Sequence, residues 1–241
     1  MAFNKQQNLT IYGRNPVKEA LEDLSLQITR LHLAETNRSN DDINRLKQLA
    51  ELRGIEVRTH DKLGLSRISK NGKQDQGVAA DIFCPNFHDA DGIESGIYIA
   101  VDRIGNPNNL GMLARSVAAF GGKLIVAEDG GNTKISPLVV KASAGALFKC
   151  PIYRSHSLKD TAQRLLDKDF DVVSLSAVAP EPLYDYVPNE NTLFLLGNET
   201  DGISDELKAL CNRRYYIPMS NNVESLNVAV TGSIVSFMLS S

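Results

Sequence analysis

From Ile97 to the end of the chain, short apolar runs that suit strands alternate with stretches of helical spacing, and few architectures accept that order. Strands are expected at Ile97–Asp102, Lys123–Ala127, Ile152–Arg154, Asp171–Ser176, Thr192–Leu196 and Tyr215–Ile217. Helices are expected at Asn109–Phe120, Pro137–Ser143, Leu158–Lys168, Ser204–Cys211 and Ser225–Leu239. Such alternation predicts an α/β fold with a mostly parallel sheet covered on both faces. Open sheets of this kind bind ligands beyond the carboxyl ends of their strands, which directs attention to the loops after Asp102, Leu196 and Ile217.

The front of the chain reads as a smaller α/β module. Asn15-Pro16 opens a helix to about Leu24, Ile28–Leu33 suits a strand, and Asp41-Asp42 starts a helix carrying Ile43, Leu46, Leu49 and Ala50 at helical spacing. Gly54 ends that helix, and strands follow at Ile55–Arg58 and Val78–Phe83. Polar, glycine-containing Asn71–Gly77 reads as loop, and Cys84–Gly96, interrupted by Pro85, Asn86, Asp89, Asp91 and Gly92, as a linker. The expected division is therefore residues 1–83, a linker 84–96, and residues 97–241. Charge divides along similar lines. Residues 1–80 carry 13 Lys/Arg against 10 Asp/Glu and residues 81–241 carry 13 against 19, so a balance of +3 faces one of −6. A basic module beside an acidic one is compatible with an arm that meets a polyanion and a body that does something else.

Several classes fall away. The longest apolar runs, such as Leu193–Leu196 and Ile234–Leu239, are far below the ~20 residues of a membrane span. The polar start, Met1–Thr10, has no apolar core of a secretory leader, which predicts a cytoplasmic protein. Cys84, Cys150 and Cys211, like His32, His60, His88 and His156, are scattered, so neither a disulfide framework nor a metal site is expected. GxGxxG, GxxxxGK[ST] and GxSxG are all absent, which argues against dinucleotide enzymes, P-loop NTPases and serine hydrolases.

Three loops carry candidate chemistry. The first, Asp102–Gly111 (DRIGNPNNLG), leads into a helix that Asn109 can cap. On that helix Leu110, Leu113, Ala114, Val117 and Ala118 form an apolar stripe, and Arg115 lies about 140° from Leu110, so its guanidinium can face solvent or a ligand. The second, Gly197–Ser204 (GNETDGIS), brackets Glu199 with glycines that let backbone approach a ligand closely. The third, Ile217–Asn227 (IPMSNNVESLN), precedes a helix apolar nearly all round, which needs cover on most sides and suggests a subunit interface as readily as a monomer core.

Together these loops resemble the motifs of the SpoU family within the SPOUT superfamily, the RNA ribose 2′-O-methyltransferases that use S-adenosyl-L-methionine. The resemblance rests on Asn106-Pro107-Asn108-Asn109-Leu110-Gly111 through Arg115, on Leu196-Gly197-Asn198-Glu199 with Gly202, and on Ile217-Pro218-Met219 with Ser225-Leu226-Asn227-Val228. Lys141-Ala142-Ser143-Ala144-Gly145-Ala146 is similar to the family's intervening segment. In front, Ile11-Tyr12-Gly13-Arg14-Asn15-Pro16-Val17 and Gln76-Gly77-Val78 look like the start and end of the small L30e-like substrate-binding domain of family members that modify large-subunit rRNA. Asn106 departs from the pattern, since the family usually has Asp there; Asn keeps a good turn and hydrogen-bonding residue.

The resemblance implies a body whose carboxyl-terminal part is a trefoil knot, an exception to unknotted topology. It further implies a homodimer joined through the first and last helices of that body, and RNA as partner. Leu196, Gly197, Ile217, Met219, Ser225 and Leu226 would hold the cofactor. Asn109, Arg115, Glu199, Ser225 and Asn227 would form the catalytic set, and Arg14, Arg103 and Arg115 would meet RNA. An Arg with a pKa above about 12 is a poor base, so Arg115 is read as holding a phosphate or stabilising a developing oxyanion. The leading expectation is methylation of a guanosine 2′-OH in 23S rRNA. The alternatives are a tRNA 2′-O-methyltransferase and a non-catalytic RNA-binding or ribosome-assembly protein on the same scaffold.

Overall fold

The computed structural model describes residues 7–37, 41–129, 131–187, 189–198 and 200–240. The chain divides into two compact units, Met1–Pro85 and Asn86–Ser241.

The first unit runs β1 (Asn8–Tyr12), α1 (Arg14–Glu22), β2 (Gln27–Ala34), α2 (Asp41–Leu52), β3 (Glu56–His60), α3 (Lys62–Ser69) and β4 (Val78–Phe83). Its sheet has the order β1-β4-β2-β3, with β4 antiparallel to both neighbours and β2 parallel to β3. Alternation puts Leu9, Ile11, Leu31 and Ile82 into the core with Val17, Leu21, Ile43 and Leu46 from the helices. Strand β1 and helix α3 were not anticipated. Helix α3 is short and starts at Asp61, whose carboxylate accepts the Gly64 N–H at 2.7 Å, a local cap that substitutes for a long apolar period. The Asn71–Gly77 loop stays within this unit. Asp75 is buried and accepts from Ser69 Oγ at 2.8 Å and from the Gly77 N–H at 3.0 Å, so its polar residues close a turn.

The second unit runs β5 (Phe87–Asp89), β6 (Ile97–Val101), α4 (Pro107–Ala119), β7 (Lys123–Ala127), α5 (Pro137–Ala142), β8 (Ile152–Ser155), α6 (Leu158–Leu166), β9 (Asp171–Leu175), β10 (Glu181–Pro182), β11 (Thr192–Leu196), α7 (Asp205–Leu210), β12 (Arg213–Tyr216) and α8 (Val228–Leu239). The sheet order is β10-β12-β9-β11-β6-β7-β8-β5, and every pairing is parallel. The expected parallel α/β architecture is therefore present. Strand β11 is buried along its whole length, as its unbroken apolar run requires of a central strand.

One boundary needs correction. Of residues 84–96, read as a linker, Cys84 and Pro85 belong to the first unit and 86–96 to the second, where they form β5 and a 3-10 turn at Ala90–Gly92. Phe87, Ala90 and Ile93 are buried there, and the loop-forming residues make specific bonds: Asn86 Nδ2 donates to the Phe148 carbonyl at 2.7 Å, and Asp89 Oδ1 accepts the Asp91 N–H at 3.0 Å. Turn chemistry marked the segment, and three spaced apolar side chains anchored it.

Close helix packing on one face of this sheet depends on two glycines. A methyl group added at Gly111 of α4 would collide with Ala142 and the Val139 carbonyl of α5, and one added at Gly232 of α8 would collide with Leu113 of α4. Helix α8 buries only Val228, Ala229, Gly232, Val235 and Ser236, leaving Val230 and Phe237 exposed on a side that the near-uniform apolar sequence would have covered.

Candidate functional site

The order of the sheet reverses around β6: the chain steps outward through β7 and β8, returns to β9 on the other side, and then inserts β11 between β9 and β6. A crevice forms where such a reversal occurs. A cavity of about 510 Å³ lies at the carboxyl ends of β9, β11 and β12, within the range of small-molecule sites. Leu196, Gly197, Ile217, Met219, Ser225 and Leu226, the six residues expected to hold a cofactor, all line it.

Gly197 is required by a close approach, since a methyl group there would overlap the backbone of Gly202 and Ile203. The loop doubles back on itself at this point. Asn198 O accepts the Gly202 N–H at 3.1 Å, and Asn198 Oδ1 accepts the N–H groups of Thr200 and Asp201 at 2.9 and 2.7 Å. Gly202 takes a φ of 67° to complete the turn. Glu199 lies outside the described residues.

The expected catalytic residues come from distant parts of the chain. Asn227 Nδ2 donates to Asn109 Oδ1 at 3.2 Å across 118 positions of sequence, while Asn227 Oδ1 accepts the Ala229 N–H at 2.9 Å and caps α8. Ser116 and Ser233 hydroxyls, 2.7 Å apart, join the same two helices further along. Arg115 is exposed, off the buried stripe of α4, and makes no ion pair among the described residues. Ser225 is exposed at the cavity wall, whereas Asn109, Arg115 and Asn227 are not cavity-lining.

Asn109 does not cap α4. Asn106 does, accepting the Asn108 N–H at 2.9 Å, with Pro107 at the first helical position; the helix thus begins two residues earlier than its apolar stripe suggests. The capping role needs only a side-chain oxygen, which Asn and Asp both supply.

Two arginines expected to meet RNA are otherwise engaged. Arg103 donates from Nη2 to the Gly202 carbonyl at 3.0 Å and from Nε to Asp102 Oδ2 at 3.3 Å, and its Nη1 lies 3.9 Å from Asp201 Oδ2. Arg14, in the first unit, pairs with Asp42 at 3.7 Å, and its backbone N–H donates to Gln76 Oε1 at 3.0 Å.

Sequence reasoning overlooked the loop after β9, where Ser176, Ala177 and Val178 line the cavity, as well as the charged walls Asp201, Lys208, Arg214 and Glu224. The strand ending at Ser176 was legible, and the rule that ligands gather at strand carboxyl ends applied to it equally. Lys208 donates to Asp205 Oδ1 at 2.9 Å, which holds that carboxyl below its ordinary range. Arg214 and Glu224 have no ion-pair partner among the described residues. No cluster of His, Cys, Asp and Glu suited to a metal ion occurs among the described residues, and no helix is long and apolar enough to cross a membrane.

Comparison with known proteins matches residues 96–237 to a model of the SpoU rRNA Methylase family, and residues 10–87 to one described as RNA 2'-O ribose methyltransferase substrate binding. An uncharacterized tRNA/rRNA methyltransferase of Mycolicibacterium gilvum (strain PYR-GCK) is 30% identical over 236 residues, which cover 93% of this chain and 74% of its own. Among solved structures, the SpoU methyltransferase AviRb from Streptomyces viridochromogenes, in complex with AdoMet, superposes with a TM-score of 0.67 at 23% identity, covering 97% of this chain and 90% of its own. An AdoMet-bound rRNA methyltransferase from Sinorhizobium meliloti gives 0.65 at 23% identity, with 96% and 86% covered.

Proposed function

Because the chain belongs to the SpoU rRNA Methylase family, we propose that it transfers a methyl group from S-adenosyl-L-methionine to a ribose 2′-oxygen of RNA, a guanosine of 23S rRNA being the leading target. The observation that carries this reading is the convergence of six residues from three stretches of sequence on one cavity at the reversal of the sheet. The same general fold holds AdoMet in the AviRb and S. meliloti structures. Preference for rRNA over tRNA rests on the substrate-binding match over residues 10–87 and on likeness across 96% of the chain to an rRNA methyltransferase.

The residues present fit this cofactor. Gly197 lets the Gly202–Ile203 backbone close against it to form the cavity wall, and the loops after β11 and β12 offer backbone groups to an adenine and ribose, with Leu196, Met219 and Leu226 as apolar contacts. When bound, the cofactor supplies an electrophilic methyl group on a sulfonium sulfur. The chain's own task is to present the ribose hydroxyl in line, with its proton free to pass to solvent as the new C–O bond forms, and to exclude competing geometries. The Asn227–Asn109 bond fixes the start of α8 against the first turn of α4, and Arg115 is exposed about two turns further along α4. A guanidinium there is suited to gripping a phosphate and stabilising negative charge on the 2′-oxygen. Glu199 and Ser225 complete the proposed set, Arg14 contributes to RNA contact, and the first unit as a whole binds the substrate RNA.

In this reading β11, inserted between β9 and β6, belongs to a trefoil-knotted body, and the protein is a cytoplasmic homodimer. The support for a dimer is the apolar outer side of α4 and α8, where Met112, Phe120, Val230 and Phe237 are exposed and the Phe120 and Phe237 rings meet edge-on with centroids 5.6 Å apart. Sedimentation should find Phe237→Asp monomeric where the native chain is dimeric. A native monomer would refute the dimer. The decisive test of function is mapping 2′-O-methyl positions in total rRNA and tRNA with and without the gene. Loss of one rRNA position supports the reading, loss of a tRNA position redirects it, and no change together with no cofactor binding favours the assembly role.

A further inference from the structure

We propose that Arg103 is a positioning residue for the cofactor, a latch whose guanidinium holds residues 201–204 in the shape that forms the cavity wall. The inference rests on the reading that this cavity takes S-adenosylmethionine.

Arg103 sits in the left-handed region with φ 58°, a conformation that side-chain-bearing residues adopt at a cost. Its neighbours hold it there from both sides. The Asp102 N–H donates to the Leu196 carbonyl at 2.8 Å, the Ile104 N–H donates to Asn132 Oδ1 at 2.9 Å, and the Ile104 carbonyl accepts the Thr133 N–H at 2.7 Å. The turn sends two side chains to one loop. Buried Asp102 accepts the Ser204 N–H on Oδ2 at 2.7 Å, and Arg103 reaches the Gly202 carbonyl and the Asp201 carboxylate.

Asp201 and Gly202, held by Arg103, and Ile203, which lies between Gly202 and the Ser204 anchor, all line the cavity. Gly202 is itself in the left-handed region, and its backbone closes against Gly197. Position 103 therefore dictates where the opposite wall of the cofactor site stands. A glycine would occupy this backbone conformation without strain, so the strain is retained for the sake of the guanidinium. The latch also begins the loop that leads to Asn106 and Asn109, which ties the cofactor wall to the start of α4 within a few residues.

The test uses the full-length native protein with Arg103→Gly, Arg103→Ala and Arg103→Lys. Titration calorimetry with S-adenosylmethionine, thermal unfolding, and steady-state methylation of the mapped RNA are the readouts. Arg103→Gly should unfold at the native temperature or above, because the backbone relaxes, and yet bind cofactor roughly tenfold more weakly, the scale of one charge-assisted hydrogen bond. The KM for cofactor should rise in step while kcat stays within about twofold and the KM for RNA is unchanged. Arg103→Lys, which keeps a donor, should recover part of the loss, and Arg103→Ala should lose both stability and affinity. A native protein that binds no S-adenosylmethionine overturns the functional reading and the latch with it. A native protein that binds, beside an Arg103→Gly variant that binds equally well, overturns the latch alone. A raised KM for RNA at unchanged cofactor affinity would also overturn it, assigning Arg103 to RNA.

Discussion

The two units differ in where their conspicuous polar groups end up. In the first, several charged and hydrogen-bonding side chains are bonded internally. Arg53 donates to the carbonyls of Ala20, Leu21, Asp23 and Leu26, closing the end of α1 and the turn after it. Glu56 is shared by Arg30 at 2.9 Å and Arg58 at 2.6 Å. Asp81 accepts from Thr10 at 2.7 Å and contacts His32 at 3.0 Å, and His32 in turn lies 2.9 Å from His60. In the second unit the strand ends leave Arg214, Glu224 and Ser225 at a cavity and Arg115 in solvent. A segment's charge balance thus counts charges without saying how many are free. The excess of basic residues in the first unit is a weaker pointer to a polyanion than it looks, because several of those residues hold the fold together.

Removing the free side chains of the second unit should alter catalysis while sparing stability, and removing the bonded side chains of the first should lower stability while sparing cofactor binding. The largest effect should come from Arg115→Ala, which is expected to lower methyl transfer roughly 100- to 1000-fold. Calorimetry should find its cofactor affinity native and denaturant melts its stability native; undiminished turnover on the mapped RNA would remove Arg115 from the mechanism. Next, Gly197→Ala should weaken cofactor binding by roughly 100-fold, since the methyl group forces the Gly202 backbone away. Native affinity in that variant would mean the doubled-back loop is not the cofactor wall. In the first unit, Arg53→Met should cost about 2 kcal/mol of stability in urea, from hydrogen bonds of a charged donor, with cofactor affinity unchanged. A fall in affinity without a fall in stability would break the comparison.

The smallest effect is a pH dependence of the first unit. Burial, followed by the nearby His32 and Arg58, holds His60 below its ordinary pKa of 6.5. A depressed histidine is protonated more readily in the unfolded chain, so its contribution is complete above about pH 6.5 and is lost as pH falls through the folded value. Burial would raise the Asp81 carboxyl, yet hydrogen bonds from His32 and Thr10 outweigh it and hold the group low. Its contribution is complete above pH 3.8 and is lost at still lower pH. Unfolding midpoints should therefore decline in two stages on acidification, and His60→Gln should flatten the first. A single stage, identical in the variant, would show that His60 does not contribute to the pH dependence.

Much of the site was legible before any coordinates. The loops that hold Gly197, Ile217, Met219 and Leu226 lie at strand carboxyl ends, where open parallel sheets gather ligands, while the choice of these residues within them came from the family resemblance. The off-stripe position of Arg115 followed from helical period alone. Other features were misread for identifiable reasons. Pro85, Asn86, Asp89 and Gly92 are turn formers whether a segment is a linker or an edge strand with a 3-10 turn, so composition could not separate the two. Asn106 and Asn109 are both competent caps, and only the helix start chose between them. The loop after β9 bears no distinctive residue, and its place in the cavity comes from β9 lying beside β11 and β12.

The sequence by itself determined the order of most helices and central strands, the parallel α/β class and the three loops that could hold a ligand, because period, capping and turn chemistry act over a few residues. Tertiary structure alone decided that β11 enters between β9 and β6, that Asn227 reaches Asn109, and that Arg103 turns toward Gly202 instead of outward. Those outcomes depend on partners roughly a hundred residues apart, and a local pattern carries no record of which distant group a side chain will meet.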